Sequence, residues 1–165
     1  MTVNVVSDKE YVDFDVIAEN WSAYELEDKT ILRTKTVLMS IASARARKKK
    51  KKSKSALEIL LLVVIDSGKN RGPLGEKWDV SELEKYVTES NMMFRQIKDG
   101  GPSVYETKKT RILMRPIVKQ VLKTSKFDLK GNPAYIVKCE SEIIFEKKVA
   151  PKNKVENIQA NAKAE

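Results

Sequence analysis

The 165-residue sequence contains no histidine, a single cysteine, six glycines and five prolines, and each scarcity removes a class of chemistry or structure. Without histidine the commonest general base is missing, and with it the Ser-His-Asp and Cys-His arrangements and the usual zinc ligand sets. Most hydrolase mechanisms fall away, and the sequence implies no enzyme, no cofactor and no metal. The lone Cys139 forms no internal disulfide, which suits a reducing compartment. It alternates with Val137, Ser141 and Ile143, so a buried structural thiol is expected rather than a nucleophile, which needs a cationic or helix-end setting. No apolar run reaches the ~20 residues of a membrane-spanning helix. The longest, at 56–65, is interrupted by Glu58 and reads as a buried strand. The first eight residues lack a basic region followed by an apolar stretch, so no signal peptide is expected and the chain is read as cytoplasmic.

Positive charge is abundant and unevenly placed. The run Arg45-Ala46-Arg47-Lys48-Lys49-Lys50-Lys51-Lys52-Ser53-Lys54 holds eight cations and no anion. The remaining 24 Lys and Arg face 23 Asp and Glu, so the +9 total belongs almost entirely to this run. Strand-like sequence flanks it on both sides: Thr, Val and Ile across 31–43, and Ile59-Leu60-Leu61-Leu62-Val63-Val64-Ile65 after it. The run is therefore expected at the tip of a long hairpin. Met, Leu, Ala and Arg at 38–47 favour helix, the competing reading there.

Alternation at Val12, Phe14, Val16 and Ala18 predicts a half-buried strand over 11–19, followed by a turn at Asn20-Trp21-Ser22, a short strand at 24–26 and a tight turn at 27–29. Three Gly and one Pro make 67–77 a loop. Asp79-Val80-Ser81-Glu82 resembles a capping box and opens a helix predicted over 80–88. Then come an extended segment at 92–97, a turn at 99–102, a long strand at 110–123 that Pro116 marks as an edge or bulged strand, a hairpin turn at 128–133, and a last strand at 135–146.

These elements repeat. Tyr24-Glu25 before Ile31-Leu32 has the spacing of Tyr105-Glu106 before Ile112-Leu113, Phe14 and Ile17 precede the first tyrosine much as Phe94 and Ile97 precede the second, and Ile41 matches Leu122. A basic turn follows each, at 45–54 and at 123–130. The expected architecture is mainly β with one short helix: two hairpin-rich repeats packed as a small sandwich or barrel-like body bearing a long basic tip. Its parts are an N-terminal segment (1–10), a first repeat (11–66), a connector (67–90), a second repeat (91–146) and a basic tail (147–165) expected to order only on a polyanion.

The stretch from Phe14-Asp15-Val16-Ile17-Ala18-Glu19-Asn20-Trp21 into Tyr24-Glu25-Leu26-Glu27-Asp28-Lys29-Thr30-Ile31-Leu32 resembles small archaeal β-rich proteins with an E-N-W, Y-x-L-x-D-x-T-x-L signature. Residues 126–137, Lys-Phe-Asp-Leu-Lys-Gly-Asn-Pro-Ala-Tyr-Ile-Val, are similar to the second hairpin of the same group. The resemblance implies an archaeal, intracellular, mostly β protein and implies no activity.

Function is then a question of what the cations meet. Eight charges in ten residues repel one another until a polyanion neutralises them. Arg45, Arg47, Lys48, Lys49, Lys50, Lys51, Lys52 and Lys54 are the expected contacts to RNA or DNA phosphates. Lys69 and Arg71, in the glycine-rich loop Gly68-Lys69-Asn70-Arg71-Gly72-Pro73-Leu74-Gly75, are candidates for an added contact. That loop lacks the Gly-Lys-Ser/Thr ending of a phosphate-binding P-loop. Tyr11, Trp21, Tyr24, Trp78, Tyr86, Tyr105, Phe127 and Tyr135 are scattered along the chain, so base stacking is not the leading mechanism. A ribosome or chromatin accessory within a larger ribonucleoprotein is one expectation. A protein-interaction module whose lysines meet an acidic protein surface, or only aid solubility, is the other. Attachment to anionic lipid is weaker, because no acyl site or amphipathic anchor accompanies the lysines.

Overall fold

The computed structural model describes residues 9–44 and 55–149; residues 1–8, the basic run at 45–54 and the tail from 150 lie outside the described residues. The first half supplies β1 (Lys9–Tyr11), β2 (Asp15–Ala18), β3 (Ser22–Leu26), β4 (Ile31–Ala44) and β5 (Ser55–Asp66). A connector follows, with a 3-10 turn at Gly68–Asn70, the helix α1 (Val80–Leu83) and a second 3-10 turn at Glu84–Tyr86. The second half supplies β6 (Val87–Glu89), β7 (Phe94–Lys98), β8 (Ser103–Glu106), β9 (Thr110–Phe127) and β10 (Pro133–Lys147).

The strands form two antiparallel sheets packed face to face. One runs β5-β4-β3-β7, with β1 continuing along β4 beyond β3; the other runs β10-β9-β8-β2, with β6 continuing along β9 beyond β8. The pattern is a duplication with one strand exchanged. β2 leaves the first half to pair with β8, and β7 leaves the second half to pair with β3. The aromatic contacts follow: Phe14 meets Tyr105 edge-on at 5.7 Å between ring centroids, and Phe94 meets Tyr24 at 6.0 Å.

The predicted strand over 11–19 is thus two strands. Val12-Asp13-Phe14 breaks it, leaving β1 on the first sheet while β2 crosses to the other, and Val16, expected on the apolar face, ends up exposed. The repeat register also differs by one residue from the spacing read in sequence. Tyr24 lies opposite Leu32 but Tyr105 lies opposite Ile112, because four residues separate β3 from β4 and three separate β8 from β9. A slip of one residue changes the face of every side chain. The buried equivalents are therefore Leu32 with Ile112 and Ile41 with Val121, not Ile41 with Leu122.

β9 is central rather than an edge: β10 lines one side of it, and β8 and β6 share the other. Pro116 falls between the residues paired to β8 and those paired to β6, where a missing ladder donor is tolerated. The register shift opposite Lys138 and Cys139 places a bulge nearby, and the equivalent irregularity lies between Leu38 and Ser40 of β4. The helix is shorter than predicted. Asp79 makes no side-chain cap, its carbonyl accepting Glu82 N–H and Leu83 N–H instead, and Val87–Glu89 is drawn into strand pairing on β9. Leu83 anchors the helix on Ala134 and Ile136, the outer face of β10.

Between the sheets lie two apolar clusters. Tyr24, Leu26, Leu32, Met92, Val118, Val121 and Tyr135 form one, and Leu38, Ile41, Tyr105, Ile112 and Met114 the other. The apolar block of β5 contributes Leu57, Ile59, Val63 and Ile65 from its inward face only. It is an edge strand, paired to β4 alone among the described residues, and not the fully buried strand its composition suggested. Cys139 also faces inward, and burial pushes its thiol pKa up, which suits a structural thiol.

Candidate nucleic-acid interface

β4 and β5 pair from Ile31 opposite Asp66 to Ser43 opposite Ser55, with one irregularity between Leu38 and Ser40, and the far end of this ribbon, flanked by β1, leads directly into the basic run. Arg45, Arg47, Lys48, Lys49, Lys50, Lys51, Lys52 and Lys54 lie outside the described residues. The root of the ribbon is described, and other cations gather at it. A cavity of about 720 Å³ there is lined by Ile41, Ser55 and Leu57 of the ribbon together with Lys108 and Lys109 of the β8–β9 turn and Lys148 just past β10. The backbone N–H of Lys148 donates to the carbonyl of Lys109 at 2.9 Å, which fixes the end of β10 against that turn.

The charges at this end are only partly neutralised. Glu106 receives Arg111 at 2.9 Å and Lys148 at 2.9 Å on its two oxygens, and these hydrogen bonds hold its pKa below the usual carboxylate range. Lys108, Lys109 and Lys147 are exposed and enter no ion pair among the described residues. Asp13 and Asp15 line the same cavity, so the anion-attracting surface is the lysine side rather than the whole mouth. Tyr11 (73% exposed) and Phe145 (58% exposed) stand here too. Sequence order had scattered the aromatics; the fold brings these two beside the lysines.

The second basic turn read at 123–130 is differently employed. Lys123 turns inward and binds Asp28 at 2.9 Å, and Lys126 lies over the rings of Tyr86 (4.3 Å) and Trp78 (5.3 Å). The turn itself is closed by Asp128, which accepts the N–H groups of Lys130 and Asn132, with Gly131 at φ 80°, a conformation glycine adopts without strain. The two equivalent hairpins have thus diverged: one ends in a carboxylate-closed turn and the other in eight cations.

Lys69 and Arg71 are exposed, but they follow the opposite end of β5, separated from the ribbon root by roughly 36 Å at ~3.3 Å per strand residue. The structure does not bring them to the root. Their loop binds the β9–β10 turn instead, through Gly72 N–H to Gly131 O and Gly75 N–H to Asp128 O, both 2.8 Å. That end is held by polar contacts between the sheets. Asp28 accepts Thr30 N–H, Lys123 and the Tyr135 hydroxyl, and Ser67 donates to Asn132. Burial raises the Asp28 pKa, the hydrogen bonds from Tyr135, Lys123 and Thr30 lower it, and the net direction is down.

Among the described residues no cluster of carboxylate or thiol groups could hold a metal ion, and no helix is long and apolar enough to cross a membrane. Comparison with family models, curated proteins and solved structures finds no match.

Proposed function

We propose that this is a non-enzymatic nucleic-acid-binding protein that docks its basic run, residues 45–54, on RNA or DNA phosphates as an accessory of a larger ribonucleoprotein or of chromatin. The observation that carries the reading is the concentration of surplus charge in one run joined to the β4–β5 ribbon, with Lys108 and Lys109 exposed near its root. Structured RNA suits a strand-borne basic tongue best, because such a tongue can insert between helices. Phosphate contacts of this kind position a protein without reading sequence.

Filter binding over a salt series tests the proposal. If ~5 to 6 cations meet phosphates, the slope of log affinity against log salt is about −4 to −5. Replacing Lys48, Lys49, Lys50, Lys51 and Lys52 with Gln should flatten that slope and weaken binding. An unchanged slope in the variant, or a slope near zero in the parent, rejects the docking mechanism.

A further inference from the structure

The internal duplication supplies its own control for the two long outer strands. Counting from the residues opposite Tyr24 and Tyr105, Thr36 on β4 is equivalent to Pro116 on β9, so Leu61, opposite Thr36, is equivalent to Ser141, opposite Pro116. The outward positions then compare directly. Where β10 carries Glu140 and Glu142, β5 carries Leu60 and Leu62, and Val64 answers to Ile144.

Charged outward residues are the usual guard on an open strand edge. β10 has that guard; β5, from Ile59 to Ile65, has no charge at all. Among the described residues nothing pairs with the far side of β5, and Leu60 is 45% exposed. Its unpaired backbone groups can take an extended chain in place of water, and the outward side chains from Leu60 to Val64 favour a chain that is apolar.

We infer that the open edge of β5 pairs antiparallel with β5 of a second copy of this chain, joining the two β5-containing sheets across a two-fold axis. The strand is itself such a chain, as a self-complementary interface requires. Charge favours the same arrangement. An antiparallel pairing sends the two basic runs to opposite ends, with roughly 40 Å of strand between their roots at ~3.3 Å per residue, whereas a parallel pairing would set sixteen like charges side by side. Register follows as well, since outward residues must face outward residues. Centring the axis on Leu62 would put Glu58 opposite Asp66 of the second copy, like against like. Centring it on Leu61 puts Leu60 opposite Leu62 and Glu58 opposite Val64, with the pairing bounded near Ile65, whose carbonyl accepts Asn132 Nδ2 at 3.5 Å.

Sedimentation equilibrium of the full chain, nuclease-treated and in high salt to remove any bridging polyanion, reads this directly. The parent is expected at twice the 18.8 kDa chain mass, with a melting temperature that rises with protein concentration. The double variant Leu60→Glu, Leu62→Glu, which writes the outward residues of β10 into β5, is expected at 18.8 kDa with a concentration-independent melting temperature. If that variant loses its β-sheet circular dichroism, the single change Val64→Lys on the same outward face is read in its place. A parent that stays at the single-chain mass at every concentration, or a folded variant that keeps the doubled mass, overturns the inference.

Discussion

Phe14 lies edge-on to Tyr105 across the boundary between the two halves, and Phe94 repeats the contact on Tyr24 in the other direction. Each half thus completes its core with an aromatic ring from the other. Edge-to-face pairs of this kind add to the stabilisation from burial itself. Phe14→Ala and Phe94→Ala are each expected to cost about 2–4 kcal/mol. Urea unfolding followed by both tryptophan fluorescence and circular dichroism should give one coincident transition in the parent, because the exchange couples the halves. Two separable transitions would show that the halves fold independently.

Acid and alkali should attack the fold at different places. The folded Asp28 pKa is lowered, so its contribution is complete above the pKa of the unfolded carboxylate and is lost as pH falls through the folded value. Asp28→Asn should weaken the protein by about 2 kcal/mol near neutrality and flatten the acid limb of a stability-versus-pH curve. Tyr105 behaves in the opposite sense. Burial, with its hydroxyl donating to Glu19 at 2.8 Å, pushes its pKa up to about 12. Between the usual tyrosine value of about 10 and that of the folded state, the unfolded chain loses the proton first and stability falls as pH rises. Tyr105→Phe should remove part of that alkaline loss. Denaturation midpoints taken across pH for both variants check the two signs; a Tyr105→Phe curve as steep as the parent's above pH ~10 would contradict the assignment.

Three hydroxyls buried between the sheets, those of Thr34, Thr36 and Ser103, have no hydrogen-bond partner among the described residues. An unpaired buried hydroxyl costs about 1–3 kcal/mol relative to a paired one. Thr34→Val, which keeps the shape of the side chain, is accordingly expected to stabilise the protein by about 1 kcal/mol, read as a higher urea midpoint with an unchanged slope.

Alternation and turn chemistry made most of the strands legible, since inward and outward positions differ in polarity along β4, β9 and β10. The exchange was hidden. Val12, Phe14, Val16 and Ala18 alternate without interruption, and nothing in the letters marks the backbone break that carries β2 to the other sheet. The helix is shorter than its periodicity predicts for a related reason: Val87 is apolar at helical spacing and equally fit to extend a sheet, and pairing with β9 decides it. At the candidate site the basic run was plain from composition, but Lys108 and Lys109 became relevant only once β9 was seen to start beside the root of the β4–β5 ribbon. Lys69 and Arg71 have glycine-rich neighbours in the sequence, but the length of β5 carries them away from the root.

The crossed strands also constrain the order in which the molecule is made. As the chain leaves the ribosome, β3 and β4 emerge long before Phe94, and β2 waits for a strand, β8, that has yet to be synthesised. The early half therefore carries an uncovered tyrosine and an unclaimed strand until Phe94 and β8 have been made, and contacts so distant in sequence form slowly. Threading of the two halves thus comes after both have been made, and the nascent chain is the form of this protein most exposed to mispairing.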